Sequence, residues 1–153
     1  MKLYVMQIAD GTPSIISEWT DNNKGAIVSF HQTCANLYND TKTTKAIVKL
    51  VDENFNTYIG DNGDTYREYG GGFEEVIDKT LPEITSKITV MSVVNGNLDL
   101  DGITEWTTRK GAMVKFHQRC ATLWNAGGSI SAVVKILNEK LEMFETKTET
   151  IIY

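Results

Sequence analysis

The sequence has little that would staple, break or anchor a fold. Only two prolines and two cysteines occur in 153 residues. Two cysteines are too few for the disulfide framework of a small secreted domain. Both Cys34 and Cys120 sit among apolar neighbours, where a thiol acts as a small hydrophobe. No apolar run approaches the roughly 20 residues of a membrane helix. The opening Met1-Lys2-Leu3-Tyr4-Val5-Met6-Gln7-Ile8 alternates too strictly for a secretion signal and reads as a strand. These absences place the protein in a cytoplasm, with no membrane partner. A basic excess is missing as well: 15 Lys and Arg against 20 Asp and Glu leave a net charge of −5. Without a basic stripe to neutralise phosphates, nucleic acid is not an expected partner. Gly-rich phosphate loops, nucleophile elbows, C-x-x-C turns and paired-His metal motifs are all lacking. The chain is therefore not expected to be an enzyme, and neither a cofactor nor a metal is expected.

What the sequence does contain is a repeat, which has to be found before anything else is read. The stretch Phe30-His31-Gln32-Thr33-Cys34-Ala35-Asn36-Leu37-Tyr38-Asn39 returns as Phe116-His117-Gln118-Arg119-Cys120-Ala121-Thr122-Leu123-Trp124-Asn125. Val5-Met6-Gln7-Ile8-Ala9-Asp10-Gly11 matches Val90-Met91-Ser92-Val93-Val94-Asn95-Gly96. Glu18-Trp19-Thr20 matches Glu105-Trp106-Thr107, and Ala46-Ile47-Val48-Lys49-Leu50 matches Ala132-Val133-Val134-Lys135-Ile136. The expected organisation is a first unit over residues 1–59, an acidic linker or arm over 60–86, and a second unit over 87–153. Charge follows the same divisions: the units carry −1 and +1, and the segment between them carries −5.

Each unit reads as ββαββ. Asp10-Gly11 and Asn95-Gly96 are hairpin turns, because glycine supplies the positive φ that a tight turn needs. Second strands run to Trp19 and Trp106. Thr20-Asp21 and Thr107-Thr108 can cap the helices that follow, over about Asn22–Asn39 and Arg109–Asn125. Val/Ile-rich strands at Lys45–Asp52 and Ser131–Asn138 come next. Fourth strands are expected around Phe55–Ile59 and Leu141–Tyr153, and Phe73–Asp78 reads as a helical turn. The fold class is thus α+β: two tandem ββαββ units about a pseudo-two-fold, with antiparallel sheets each covered by one helix.

The helix faces suggest how the units meet. At 100° per residue, Ile27, Phe30, Cys34 and Leu37 form one apolar stripe, and Met113, Phe116, Cys120 and Leu123 form its twin. A flanking strip holds Val28, His31, Ala35 and Tyr38, matched by Val114, His117, Ala121 and Trp124. Together the two stripes are wider than the roughly 100° that one contact requires. The second contact is expected to be the other unit, with small Ala35 and Ala121 allowing close approach.

Candidate chemistry is sparse. His31 and Cys34 stand three residues apart on one helix, as do His117 and Cys120. Two His and two Cys could meet across a symmetric helix pair, a set that zinc accepts. Core packing of each thiol is the preferred reading, because the Cys pair of a closed zinc site usually comes from a tight turn. His31, Cys34, His117 and Cys120 remain the metal alternative. Asn97-Leu98-Asp99-Leu100-Asp101-Gly102 resembles the start of a calcium loop, but Thr108 stands where the closing Glu belongs. Trp19 and Trp106, each at a strand end, together with Tyr66, Tyr69 and Phe73 in the acidic segment, are the candidate partner-binding residues, since aromatic side chains anchor interfaces.

The early strand Leu3-Tyr4-Val5-Met6, the Asp-Gly or Asn-Gly turn, the Phe-His pair in a central helix and the Val/Ile strand closing on Asp52-Glu53-Asn54 or Asn138-Glu139 together resemble small single-unit proteins common in phage and prophage genomes. The likeness covers both units but not residues 60–86. It implies a phage-encoded interaction protein that binds or inhibits a host or defence component, here as a fused tandem. The expected function is non-enzymatic protein binding. The alternative is binding or sequestering a small, nucleotide-type ligand between the two units.

Overall fold

The computed structural model describes residues 1–60, 72–83, 87–99 and 103–153. The chain opens with strand β1 (Lys2–Ala9), which alternates so that Leu3 and Val5 are fully buried. Asp10 at φ 47° and Gly11 at φ 83° then turn it into β2 (Thr12–Thr20). Two successive positive φ values are what a tight two-residue hairpin requires. Asn95 (φ 51°) and Gly96 (φ 81°) do the same between β5 (Ile88–Val94) and β6 (Asn97–Leu98).

Two helices follow the strands that precede them, α1 (Asn23–Asn39) and α2 (Arg109–Trp124). The side chain of Asn22 caps α1 by accepting the Gly25 N–H at 2.9 Å, and Thr108 caps α2 by accepting the Gly111 N–H at 3.1 Å. Capping of α1 by Thr20-Asp21 is thus corrected by one residue. Thr20 ends β2, while Asp21 sits at φ 52° and takes the N-terminal amine at 2.6 Å.

Strands β3 (Lys45–Val51), β4 (Glu74–Asp78), β7 (Thr104–Trp106), β8 (Ser131–Leu137) and β9 (Met143–Ile152) complete the described elements. One antiparallel sheet has the order β2-β1-β3-β4. The other has the order β6-β5-β8-β9, with β7 also paired to β5. The fold is α+β, with two helices and two antiparallel sheets among the described residues. Helix α1 lies against β1, β2 and β3, α2 lies against β5, β7, β8 and β9, and the two helices pack on each other. Phe30, Cys34 and Leu37 are buried with Leu3, Val48 and Leu50; Phe116, Cys120 and Leu123 are buried with Val90, Val134 and Ile136.

The first sheet corrects one expectation. Its fourth strand is not Phe55–Ile59 but β4, from the segment expected to be a linker. Phe55 has φ 63° and its N–H bonds back to the Asp52 carbonyl, while the Asp52 carboxylate takes the N–H groups of Asn54 and Asn56. That closed turn leaves Thr57 a single bridge to Val51. Phe73–Asp78 is correspondingly extended rather than helical: Phe73, Glu75 and Ile77 face inward, and Lys45 pairs with Asp78 across the ladder. Residues 61–71, 84–86 and 100–102, including Tyr66, Tyr69 and the Leu100, Asp101 and Gly102 of the calcium-like pattern, lie outside the described residues.

Candidate functional site: a buried polar cluster and an uncovered sheet face

Where α1 and α2 meet, the interior is polar. His31 and His117 are fully buried, and their Nδ1 atoms are 2.8 Å apart. At that distance one nitrogen donates a hydrogen and the other accepts it. The far nitrogen of His31, Nε2, lies 2.6 Å from Glu149 Oε2, and the Trp124 indole N–H donates to the same oxygen at 2.8 Å. His117 Nε2 faces Glu75 Oε2 at 3.5 Å, and the Tyr38 hydroxyl donates to that oxygen at 2.6 Å. Lys147 Nζ pairs with Glu75 Oε2 at 2.9 Å.

The arrangement is crossed. Glu75 comes from β4 and Glu149 from β9, at the edges of their separate sheets. Each carboxylate is held by an aromatic donor from the helix on its own side, Tyr38 or Trp124. Each also faces the imidazole of the other helix. The seven-residue spacing from His31 to Tyr38, and from His117 to Trp124, is two helical turns, so each pair shares a face.

Pairing explains why four titratable groups tolerate full burial. His31 Nε2 meets Glu149 at 2.6 Å, His117 Nε2 faces Glu75 at 3.5 Å, and the two rings meet through their Nδ1 atoms. The Lys147 ammonium stands against the Glu75 carboxylate. Unbalanced charge in a dry interior would cost several kcal/mol per ion, of order 3–5 when one partner of a pair is missing.

The remaining sequence-derived candidates fall as follows. Val28 and Val114 are partly buried against the core, and Ala35 and Ala121 are buried. Ala35 and Ala121 line a groove of about 450 Å³ between the helices with Gln32, Asn36, Lys115, Gln118, Arg119 and Thr122. Phe73 is fully buried, stacked on Tyr58 at 5.8 Å and edge-on to Phe30 at 5.6 Å. Its expected role as a partner anchor is corrected to core packing, because no face of the ring is left for a partner.

Trp19 and Trp106 are half-buried, and each indole N–H donates within its own strand, to Ser17 Oγ and Thr104 Oγ1, both at 2.8 Å. Each ring lies over a helix glycine. A Cβ at Gly25 would come within 2.6 Å of Trp19, and one at Gly111 within 2.6 Å of Trp106. The indoles thus seat the helix starts, while each ring keeps part of its surface exposed. In the metal alternative, Cys120 and His31 do gather, but with Glu149. One ligand atom from each lies within 4.8 Å of the others, and Cys34 and His117 are not in that group.

The outer face of the first sheet was not anticipated. Register places Pro13, Ile8, Ile47 and Val76 side by side across all four strands. Ile8, Ile47 and Val76 are 48%, 38% and 64% exposed. Ion pairs Lys49–Glu74 (3.6 Å) and Lys45–Asp78 (4.0 Å) flank the row on either side. On the second sheet the corresponding row is Leu98, Val93, Val133 and Thr150, also three aliphatic residues long, with Leu98 and Val93 48% and 42% exposed.

Sequence reading missed Glu75, Glu149 and Lys147. The signal was present as Phe73-Glu74-Glu75-Val76-Ile77 beside Lys147-Thr148-Glu149-Thr150-Ile151, a carboxylate in the inward phase of two strands. No helix among the described residues is long and apolar enough to cross a membrane. Compared with known proteins, the chain matches no family model, no curated protein and no solved structure.

Proposed function

We propose that the chain is a non-enzymatic protein-binding module made of two copies of one ββαββ unit about a pseudo-two-fold, and that it engages its partner through the uncovered face of the first sheet. The observation that carries the reading is the row Ile8, Ile47 and Val76, an aliphatic stripe continuous across three strands and framed by two ion pairs. An apolar centre with a charged rim is the anatomy of a protein interface. Among the described residues, the histidine–carboxylate cluster is sealed in the interior, out of a substrate's reach, which supports a binding role over a catalytic one.

Duplication is supported by the matching strand orders, by a tryptophan over a glycine at each helix start, and by the crossed histidine–carboxylate pairs. In the second half, β6 and β7 together occupy the place that β2 fills alone in the first. The resemblance to single-unit phage proteins makes a host or defence protein the partner class.

A photo-crosslinker at Ile15, which borders the row and is 60% exposed, tests this in a host extract, together with the double variant Ile47→Asp/Val76→Asp. Charges at exposed positions should leave stability within about 0.5 kcal/mol of the parent. One defined protein should crosslink to the parent and be lost with the variant. Unchanged capture would contradict the reading, as would a concentration-dependent self-association that the variant abolishes, since a second copy would then cover the face.

A small-ligand reading has one observation in its favour. The groove between the helices is lined by polar Gln32, Asn36, Gln118 and Thr122 over a floor of Ala35 and Ala121, with Lys115 and Arg119 at its side. A melting-temperature rise with nucleotides that Gln32→Ala/Gln118→Ala removes would favour it, because a ligand of the folded state stabilises that state.

A further inference from the structure

The buried cluster holds a donor set that a binding role does not use. His31, Cys120 and Glu149 come from α1, α2 and β9, and all three are fully buried. One ligand atom from each lies within 4.8 Å of the other two. We propose that these three residues bind one divalent transition-metal ion of the zinc type, and that the ion ties the two halves together.

Three features select that class. Imidazole nitrogen, thiolate and carboxylate are the donors that zinc takes. Magnesium and calcium need about six or more oxygens, and the set offers one carboxylate. A thiolate beside an imidazole favours zinc, cobalt and their neighbours over hard ions. Charge closes as well: a divalent ion with one thiolate and one carboxylate is neutral, and Lys147 separately balances Glu75 at 2.9 Å. The ion thus enters a dry site without leaving net charge behind.

Proton bookkeeping is defined. The ion takes the place of the hydrogen between His31 Nε2 and Glu149 Oε2, now 2.6 Å apart. It also displaces the thiol hydrogen of Cys120. With bonds of about 2.0–2.3 Å to the ion, His31 and Glu149 must part by about 1 Å. His31 then keeps its hydrogen on Nδ1 and donates it to His117 Nδ1, 2.8 Å away. Such a contact fixes the tautomer of a metal-binding histidine. The Trp124 N–H, 2.8 Å from Glu149 Oε2, orients the carboxylate in the same way.

Cobalt(II), titrated into the full chain in metal-free, weakly buffered solution, tests the proposal without reference to any activity. The expected result is one equivalent bound, a sulfur-to-cobalt charge-transfer band, and displacement of cobalt by zinc. Cys120→Ser should abolish the band, whereas Cys34→Ser should retain it. Glu149→Gln guards against a serine variant that fails to fold; it should keep the band but bind cobalt more weakly, by at least the roughly tenfold that losing even an outer-shell partner costs. The proposal is overturned if folded parent protein takes up no cobalt. It is equally overturned if the band survives Cys120→Ser or disappears in folded Cys34→Ser.

Discussion

Gly25 lies in the first turn of α1 beneath the Trp19 ring, and Gly111 lies beneath Trp106 in α2. Helix propensity alone says that alanine at either position should gain about 1 kcal/mol. Contact says the opposite, because a Cβ at Gly25 would also come within 2.7 Å of the Asn22 amide that caps the helix. Overpacking of this kind costs about 1–3 kcal/mol, so it wins. Gly25→Ala and Gly111→Ala should each lower the urea midpoint with unchanged m-value, and a raised midpoint would show that the indoles move aside freely.

The histidine pair makes a second prediction at this scale. His31→Phe or His117→Phe strands a buried carboxylate and the remaining imidazole, and each should cost about 3–5 kcal/mol. Because both residues serve one network, the double variant should cost less than the sum by about 0.5–3 kcal/mol. A double-mutant cycle by denaturant unfolding checks it; strict additivity would mean that the 2.8 Å contact contributes nothing.

At the scale of elements, the end of α1 is set by Asp40. The helix closes with the Asp40 N–H on the Asn36 carbonyl at 2.9 Å. The Asp40 carboxylate accepts the Thr43 N–H and hydroxyl, both at 2.8 Å, and the Lys42 N–H at 3.1 Å, and it pairs with Lys79 at 3.0 Å. The Thr43 N–H most of all, then Lys79 and the Thr43 hydroxyl, hold its carboxyl well below the usual range against partial desolvation. A depressed folded value stabilises the fold above the unfolded pKa, near 4, and that contribution is lost as pH falls through the folded value. Asp40→Asn should therefore be less stable than the parent at neutral pH, and the gap should narrow as pH falls below about 4. A gap independent of pH would mean that the charge plays no part.

Elements also show what the sequence makes legible. Hairpins at Asp10-Gly11 and Asn95-Gly96 could be read because few residue pairs supply two positive φ values, and both helices because their apolar residues recur at helical spacing. Strand β4 could not be read, since its inward phase runs Phe73, Glu75, Ile77 and a buried carboxylate breaks the apolar alternation. For the same reason His31 and His117 could be placed on the facing strip while the groups they answer, Glu75 and Glu149, stayed hidden. Partners far apart along the chain have no local signature. The exposed row Ile8, Ile47 and Val76 was equally invisible, because its continuity depends on register between β1, β3 and β4.

On the scale of the whole molecule, the two halves are joined through their interiors. Glu149 stands on β9 in the second half yet touches His31 of α1 in the first, and Lys147 of β9 reaches Glu75 of β4. Such crossing contacts join the two halves into one body, with the uncovered row Ile8, Ile47 and Val76 on the outside of the first sheet. Native-state hydrogen exchange on Glu149→Gln tests this joining most directly. The loss should spread from β9 into α1, speeding exchange of the amides around His31 by the roughly 100-fold that about 3 kcal/mol represents. Faster exchange confined to the second half, with α1 as protected as before, would contradict it.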